Sequence, residues 1–289
     1  MTQKRLVSPS VTRDVVTRHG FQFKKSLGQN FLIDGNILDK IVEAAELDEN
    51  AGALEIGPGI GTLTQELCEA AKQVVAVEKD GRLLGVLRET LSDYDNVHIE
   101  HNDVLEANLH EIFAQHFEGV SEVSVVANLP YYVTTPIVMK LLEEKLPLRN
   151  IVVMVQREVA ERMAAKPGGK EYGTLSIAVQ YWTEPQLVTR VPESAFMPAP
   201  NVESTVIKLK VRKEPAVQVK DTDLFFHLVK ASFAQRRKTL LNNLQSNLQP
   251  KRDKETILAA LDRAGIDPTR RGETLSLDEY AKLADELAE

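Results

Sequence analysis

The sequence predicts an α/β fold in which a mostly parallel sheet is followed by a small all-helical domain. Up to about residue 213, short apolar runs alternate with segments long enough to form a helix. Strands of a parallel sheet are buried on both faces and show as continuous apolar runs between helices. After Lys213 the pattern changes, because Glu214-Pro215 marks a linker and the remainder shows only helical periodicity. We therefore predict one domain over residues 1–213 and a helical domain over residues 214–289.

Bulk composition is that of a globular protein with room for one large and one small domain. The chain has 289 residues, of which 43% are hydrophobic and 27% are charged, as is ordinary for such proteins. No apolar run approaches the roughly 20 residues of a membrane-spanning helix, so no membrane partner is expected. Cys68 is the only cysteine, which excludes a disulfide framework and a cysteine-based zinc site and favours a reducing cytoplasm.

Charge is distributed unevenly along the chain, whose net charge is −7. Residues 1–30 carry 6 Lys and Arg against 1 acidic residue, and residues 201–250 carry 9 against 4. Residues 31–200 carry 13 against 27. Two basic segments thus flank an acidic body, and local basic patches are what contacts phosphates. The pattern is compatible with a nucleic-acid partner and also with a plain solvated surface.

The first predicted elements follow a Gly-Gln-Asn turn. Asp34 is placed to cap a helix whose apolar residues Ile37 and Ile41 share one face. Gln29 and Asn30 stand just before this cap, where their side chains either reach a ligand or simply complete the turn.

A glycine-rich junction follows the strand predicted over residues 53–56. Gly57, Gly59 and Gly61 let the backbone approach a ligand beside a helix N-terminus. Their spacing misses the dinucleotide fingerprint by one position, which weakens a dehydrogenase interpretation. A second strand ends at Glu78, 21 residues after Gly57, where a carboxylate can bind both hydroxyls of a ribose. A nucleoside ligand is therefore predicted.

Two further strands bring polar groups to the same edge of the sheet. The strand over residues 97–101 leads to Asp103, which can accept a hydrogen bond from an adenine amine or cap a turn. The run over residues 123–127 leads to Asn128, whose amide matches the edge of an adenine. Pro130 restricts Leu129 to extended geometry, and Tyr131 offers a face on which a base can stack.

The rest of the first domain is predicted to close the sheet. A helix starts near Pro136, a fifth strand covers residues 151–155, and residues 174–181 and 204–211 are expected to pair as an antiparallel hairpin. Between them, Pro198 and Pro200 fix an extended segment that aims Phe196 at the site or leaves it in the core.

The second domain is predicted to contain helices over residues 223–234, 239–248, 254–264 and 277–287. Arg236, Arg237 and Lys238 join the first two of these helices. Consecutive cations cannot all be buried, so we expect a surface cluster that contacts phosphates or is merely solvated.

Five motifs follow one another in order along nearly the whole chain. They cover residues 23–32 (Phe-Lys-Lys-Ser-Leu-Gly-Gln-Asn-Phe-Leu), 55–61 (Glu-Ile-Gly-Pro-Gly-Ile-Gly), 128–131 (Asn-Leu-Pro-Tyr), 196–200 (Phe-Met-Pro-Ala-Pro) and 233–240 (Phe-Ala-Gln-Arg-Arg-Lys-Thr-Leu). Together they resemble the KsgA (RsmA) family of S-adenosylmethionine-dependent ribosomal-RNA adenine dimethyltransferases. The resemblance implies a class I methyltransferase domain, Rossmann-like with a seven-stranded sheet, and a helical RNA-binding C-terminal domain. It also implies dimethylation of two adjacent adenosines in the 3′-terminal hairpin loop of 16S rRNA, during small-subunit biogenesis.

The resemblance also implies roles for individual residues. It places Asn128 and Tyr131 at the target-base site, and our interpretation of the residues adds catalytic roles for Leu129 and Pro130. Contacts to the cofactor S-adenosylmethionine are implied for Asn30, Leu32, Gly57, Glu78, Asp103 and Asn128. Substrate contacts are expected for Tyr131, Phe196, Arg236, Arg237 and Lys238. Many family members have Asn where this chain has Tyr132, a difference expected to have little effect on the chemistry.

Other interpretations remain open from the sequence. One is an adenine methyltransferase of 23S rRNA of the antibiotic-resistance type, and another is a non-catalytic RNA-binding assembly factor. No metal is expected, because a sulfonium already activates the methyl group and the six histidines show no ligand spacing. We expect a cytoplasmic monomer whose partner is small-subunit rRNA in an assembling ribosomal subunit.

Overall fold

The computed structural model describes residues 6–20 and 30–288. They form two compact units. The first unit comprises the described parts of Met1–Ala160 together with Gln186–Val211. The second comprises Glu161–Pro185 and the described part of Arg212–Glu289. The expected boundary at residue 213 lies two residues after the first unit ends, and residues 161–185 belong to the second unit as well.

Strands and helices alternate along the first unit, as expected for an α/β fold, and the second unit contributes the last helices. The strands are β1 (Phe31–Leu32), β2 (Gly52–Ile56), β3 (Gln73–Glu78), β4 (Val97–His101), β5 (Val123–Asn128), β6 (Leu148–Gln156), β7 (Thr183–Val191), β8 (Phe196–Met197) and β9 (Ser204–Val211). The α-helices are α1 (Pro9–Arg18), α2 (Gly35–Ala45), α3 (Thr62–Ala70), α4 (Leu84–Thr90), α5 (Leu109–His116), α6 (Thr134–Glu143), α7 (Arg157–Met163), α8 (Thr174–Trp182), α9 (Thr222–Ser232), α10 (Leu240–Asn247), α11 (Lys254–Ala264) and α12 (Leu277–Leu287).

The described residues form a seven-stranded sheet with the order β4-β3-β2-β5-β6-β9-β7. Neighbours from β4 to β6 are parallel, and β9 runs antiparallel to β6. Ile56 of β2 lies in register with Val77 of β3 and with Ala127 of β5. Because these parallel strands end at the same level, the residues that follow them meet at one edge of the sheet. The predicted fold class is confirmed.

Local sequence accounts for the elements that carry this edge. All five residues of β2 are buried, as expected for a central parallel strand covered on both faces. The Asp34 side chain accepts hydrogen bonds from the backbone N–H groups of Asn36 and Ile37, which confirms it as the N-cap of α2. Ile37 and Ile41 of α2 are buried in the core beside the sheet. None of the helices among the described residues is long and apolar enough to cross a membrane.

The prediction of a strand over residues 174–181 is wrong. These residues form helix α8, and the strand next to β9 in the sheet is β7, which starts only at Thr183. A short apolar run without polar breaks fits a buried helix as well as a buried strand. Ile177 and Tyr181, four residues apart on one helix face, both lie in the core of the second unit. The prediction of a strand over residues 204–211 is confirmed by β9.

The second unit is helical apart from the start of β7, as the pattern after residue 213 predicts. Helices α11 and α12 have the predicted bounds, and α9 and α10 differ from them by one or two residues at their ends. The core of this unit contains fully buried aromatic side chains, among them Tyr172, Phe225 and Tyr280. Asp253 and Ser276 cap α11 and α12, and Asp221 and Thr239 cap α9 and α10, so each of these four helices begins at a capping side chain.

Candidate functional site

A cavity of about 380 Å³ lies at the carboxyl ends of the parallel strands. Its lining includes every residue to which the sequence analysis assigned a cofactor or catalytic role. These residues are Asn30, Leu32, Gly57, Glu78, Asp103, Asn128, Leu129, Pro130 and Tyr131. Phe196 lines the cavity as well. The structure therefore brings these predicted residues of the first unit together around one space.

The glycine-rich loop after β2 leaves room at the floor of this cavity. Gly57 has φ +69°, and a Cβ at this position would meet no atom within 4 Å. Gly59 has φ +61°, and a Cβ there would lie 2.8 Å from the ring of Phe31. Both backbones occupy the left-handed region that glycine adopts without strain. At Gly57 the space opposite the backbone is open, so a ligand can approach the main chain closely.

Glu78, at the end of β3, is buried and held by the backbone. Its Oε1 accepts a hydrogen bond of 2.7 Å from the N–H of Asp80. Burial raises the pKa of Glu78, while hydrogen bonds from the N–H groups of Asp80 and Gly59 oppose this shift. A buried carboxylate held in this way suits recognition of vicinal hydroxyl groups, because each hydroxyl can donate to it.

Asp103, after β4, lines the cavity and takes the turn-capping role, one of the two roles that the sequence left open. Its Oδ1 accepts a hydrogen bond of 3.0 Å from the N–H of Leu105, so it caps the turn. Its Oδ2 lies 2.6 Å from Nζ of Lys79, whose side chain is 72% exposed. The ammonium group of Lys79 lowers the pKa of Asp103, and the carboxylate therefore stays ionised beside the cavity. The sequence offered no signal for Lys79.

Asn128 ends β5 with its amide held in one orientation. Its Nδ2 donates a hydrogen bond of 3.1 Å to the backbone carbonyl of Asn30. Its Oδ1 accepts no hydrogen bond from the described residues. The carbonyl of Leu129, in the next residue, is likewise without a hydrogen-bond donor among the described residues. Both residues line the cavity, and each offers an acceptor oxygen to which no described donor is bonded.

Tyr131 is fixed from both ends beside these acceptors. It starts a 3-10 turn after Pro130, whose φ is −57°. Its hydroxyl shares a hydrogen bond of 2.7 Å with Oγ of Ser204, a fully buried residue at the start of β9. Burial raises the pKa of Tyr131, so its hydroxyl stays neutral. Nothing in the sequence pattern pointed to Ser204, which lies 73 residues away along the chain.

A second feature that the sequence analysis missed is a buried carboxyl group in the wall of the cavity. Glu55 of β2 is 1% exposed, and burial raises its pKa to about 8, with the nearby Thr64 hydroxyl opposing the shift. Its Oε2 and the Oγ1 of Thr62, another lining residue, have no hydrogen-bond partner among the described residues. Buried polar atoms are rarely left unpaired, so these atoms point to a polar ligand. The available signal was a charged residue inside an apolar strand.

Phe196 both lines the cavity and packs in the core, the two alternatives that the sequence allowed. It belongs to the short strand β8, which pairs with β1 so that Phe196 lies opposite Leu32. It is 4% exposed and packs in the core of the first unit, yet its side chain also closes one wall of the cavity.

The cationic cluster of the C-terminal half lies in the second unit. Arg236, Arg237 and Lys238 are exposed in the turn between α9 and α10. The Arg236 guanidinium donates a hydrogen bond of 2.5 Å to the carbonyl of Lys170. The side chains of Arg237 and Lys238 make no hydrogen bond or ion pair within the described residues. In the other predicted basic segment, residues 1–30, four of the six cations lie outside the described residues, and the described Arg18 pairs with Asp14 and Glu89.

The sheet order, the cavity at the strand ends and the Asn-Leu-Pro-Tyr turn beside it define a class I methyltransferase. The family model described as ribosomal RNA adenine dimethylase matches residues 20–289. The chain belongs to this family, which confirms the resemblance drawn from the five motifs.

Proteins with similar sequences align with almost the full length of this chain. The chain is 60% identical to ribosomal RNA small subunit methyltransferase A of Geobacillus thermodenitrificans, with 98% of this chain and 97% of that protein covered. It is 59% identical to the protein of the same name from Bacillus cytotoxicus, with 98% of each covered.

Two solved structures have the same architecture. A dimethyladenosine transferase from Plasmodium falciparum is 27% identical with a TM-score of 0.73, over 88% of this chain and 95% of that one. The 23S rRNA methyltransferase ErmE is also 27% identical, with a TM-score of 0.67, over 90% of this chain and 100% of that one.

Proposed function

We propose that the protein transfers methyl groups from S-adenosylmethionine to N6 of two adjacent adenosines in the 3′-terminal hairpin loop of 16S rRNA. The observation that carries this proposal is the pair of available acceptors at Asn128 and Leu129, beside the immobilised ring of Tyr131. Relatives with 57–60% identity and nearly complete coverage, all named ribosomal RNA small subunit methyltransferase A, support the small subunit as the substrate.

The residues around the cavity fit the cofactor. Glu78 would hold the ribose hydroxyls, Asp103 the adenine amine, and the glycine backbone at Gly57 would face the rest of the nucleoside. The unpaired Oε2 of Glu55 and Oγ1 of Thr62 offer acceptors for a cationic amino group. When bound, S-adenosylmethionine supplies a methyl group that its sulfonium already activates, so the protein needs no nucleophile of its own.

The remaining chemical task falls on the protein, because the N6 lone pair of adenine is delocalised into the ring. In our proposal the target base leaves the RNA stack and stacks on Tyr131, a contact worth about 1–3 kcal/mol against an unstacking cost of a few kcal/mol. Oδ1 of Asn128 and the carbonyl of Leu129 then accept hydrogen bonds from the amine and orient its lone pair toward the methyl group. Both acceptors also stabilise the positive charge that develops on N6.

The exposed side chains of Arg237 and Lys238 would contact the phosphate backbone of the RNA. Arg236 would contribute its charge while its hydrogen bond to Lys170 holds the turn in place. Such contacts position the RNA without reading its sequence. We further propose that the protein acts as a monomer in the cytoplasm, in line with its single, buried cysteine.

Methyl transfer to isolated ribosomal subunits tests the proposal. The protein is incubated with labelled S-adenosylmethionine and with small or large subunits that lack adenine methylation, and the digested RNA is separated by mass. We expect N6,N6-dimethyladenosine in small-subunit RNA alone, formed about 10²–10³-fold more slowly with Asn128→Ala. Label in large-subunit RNA alone would move the substrate to 23S rRNA. Binding to small subunits without transfer would indicate an assembly factor.

A further inference from the structure

Three side chains with metal-binding chemistry meet on the outer part of the first unit, and none of them lines the cavity described above. His98 and Glu100 are two residues apart on β4, so they point to the same face of this edge strand. His116 lies in the last turn of α5, the next helix. One ligand atom from each lies within 4.8 Å of the other two.

The spacing of these atoms fits a metal ion after a small adjustment. Three atoms no more than 4.8 Å apart all lie within about 2.8 Å of a common centre, whereas zinc binds imidazole nitrogen and carboxylate oxygen at about 2.0–2.2 Å. Closing this difference takes side-chain rotations that move each ligand atom inward by about 0.6–0.8 Å and turn the in-plane lone pairs of the two imidazole rings toward a common centre. All three residues are partly exposed, so such rotations meet little resistance.

The contacts within the cluster leave its donor atoms available. The Nε2 of His98 and the Oε2 of Glu100 are 3.4 Å apart, longer than the usual hydrogen bond of about 2.7–3.2 Å. The rings of His98 and His116 stack with centroids 4.0 Å apart and planes at 22°. A neutral imidazole ring carries the in-plane lone pair that a metal requires.

We propose that His98, Glu100 and His116 bind one divalent first-row transition-metal ion, with water in the remaining position. Two imidazoles and one carboxylate form a ligand set suited to zinc and its neighbours rather than to calcium or magnesium, which prefer oxygen. The ion would tie the edge strand β4 to α5 and would take no part in methyl transfer. The linear spacing alone does not show this set, because His116 comes from a different element than the other two.

Zinc binding to the full-length protein tests the proposal. The protein is freed of metal with a chelator and titrated with zinc chloride by calorimetry, and its thermal unfolding is followed with and without zinc. The variants are His98→Asn, His116→Asn and Glu100→Gln. His110→Asn is the matched control, because His110 is an exposed residue of the same helix α5.

We expect one equivalent of zinc and an unfolding temperature that rises with zinc concentration. Each of the three variants should weaken binding at least tenfold, since loss of even a residue that only hydrogen-bonds to a metal ligand weakens metal binding by about 10- to 100-fold. His110→Asn should bind as the parent does. Absence of saturable binding, unchanged affinity in His98→Asn and His116→Asn, or an equal loss in His110→Asn would each overturn the site. None of these outcomes bears on the adenine methyltransferase activity.

Discussion

Removing the Asn128 side chain tests the arrangement at the end of β5 most directly. Asn128→Ala deletes the free Oδ1 acceptor and the Nδ2 donor that contacts the Asn30 carbonyl. Loss of one positioned electrostatic group at a reacting centre lowers turnover by about 10²–10³-fold, which corresponds to about 2.7–4 kcal/mol in the barrier. Loss of one neutral hydrogen bond lowers the free energy of unfolding by only about 0.5–1.5 kcal/mol. The effect on chemistry should therefore exceed the effect on stability.

The variant Asn128→Asp separates the two functions of the amide. It keeps the size of the side chain and its acceptor oxygen, but a carboxylate oxygen replaces the donor and faces the Asn30 carbonyl at about hydrogen-bond distance. Two acceptors repel, so the side chain must rotate or take up a proton. We expect Asn128→Asp to lose turnover as well, although it retains an acceptor that favours positive charge on N6.

Single-turnover methyl transfer at saturating cofactor and saturating small subunits measures the chemical step. Asn102→Ala serves as the control, because Asn102 lines the same cavity after the neighbouring strand β4 and has no role in our account of the transfer. It should keep near-normal turnover under these conditions. If Asn128→Ala also kept turnover within a few-fold of the parent protein, the proposed role of its amide in shaping the amine would be refuted.

The remaining predictions concern the support of the site, its buried carboxyl group and the RNA. Ser204→Ala removes the hydrogen-bond partner of Tyr131 and should lower kcat/KM for the RNA by about 2- to 13-fold, the equivalent of about 0.5–1.5 kcal/mol. Calorimetry should show unchanged cofactor affinity, and a loss confined to cofactor binding would contradict this prediction. Glu55 is protonated in the folded protein up to about pH 8 but ionises near 4.5 in the unfolded chain, so the free energy of unfolding should fall as pH rises between these values. Glu55→Gln should remove the contribution of Glu55 to that fall, leaving the contribution of buried Glu78. It should also stabilise the protein at pH 7 by up to roughly 3 kcal/mol, as measured by urea unfolding at several pH values, and an unchanged pH profile would argue against a neutral Glu55. Replacing Arg237 and Lys238 by Ala should reduce the slope of log K against log salt concentration by about 0.7–0.9 per lost phosphate contact, and an unchanged slope would remove them from the RNA interface.

Sequence reasoning succeeded where a function depends on residues close together in the chain. The end of a buried strand, the glycines after it and the carboxylate 21 residues further on are local patterns, and the sheet edge collects them whatever the details of packing. The cap at Asp34 is local in the same sense. For this reason the sequence could predict both a cavity at the strand ends and the Asn-Leu-Pro-Tyr turn beside it.

Sequence reasoning failed where packing decides between alternatives. Residues 174–181 are apolar enough for a strand, yet helix α8 buries Ile177 and Tyr181 against the helices of the second unit. The contact between Tyr131 and Ser204 depends on β9 reaching the same edge beside β6. The ion pair between Lys79 and Asp103 likewise joins residues that follow adjacent strands. Such contacts carry no local signature, because each partner is ordinary in its own segment.

The hydrogen bond between Asn128 and Asn30 affects how the proposed site holds the base before and after the second methyl transfer. Because Nδ2 of Asn128 donates one of its two hydrogens to the Asn30 carbonyl, the amide keeps Oδ1 available, and the proposed site offers two acceptors, Oδ1 and the Leu129 carbonyl. Adenine has two N6 hydrogens for them, the monomethylated base has one, and the dimethylated base has none. The monomethylated amine can therefore still be held by one acceptor, whereas the final product leaves both unpaired. Unpaired acceptors in a desolvated site are costly, so the site should bind the dimethylated base most weakly, and its release follows from the same geometry that orients the substrate.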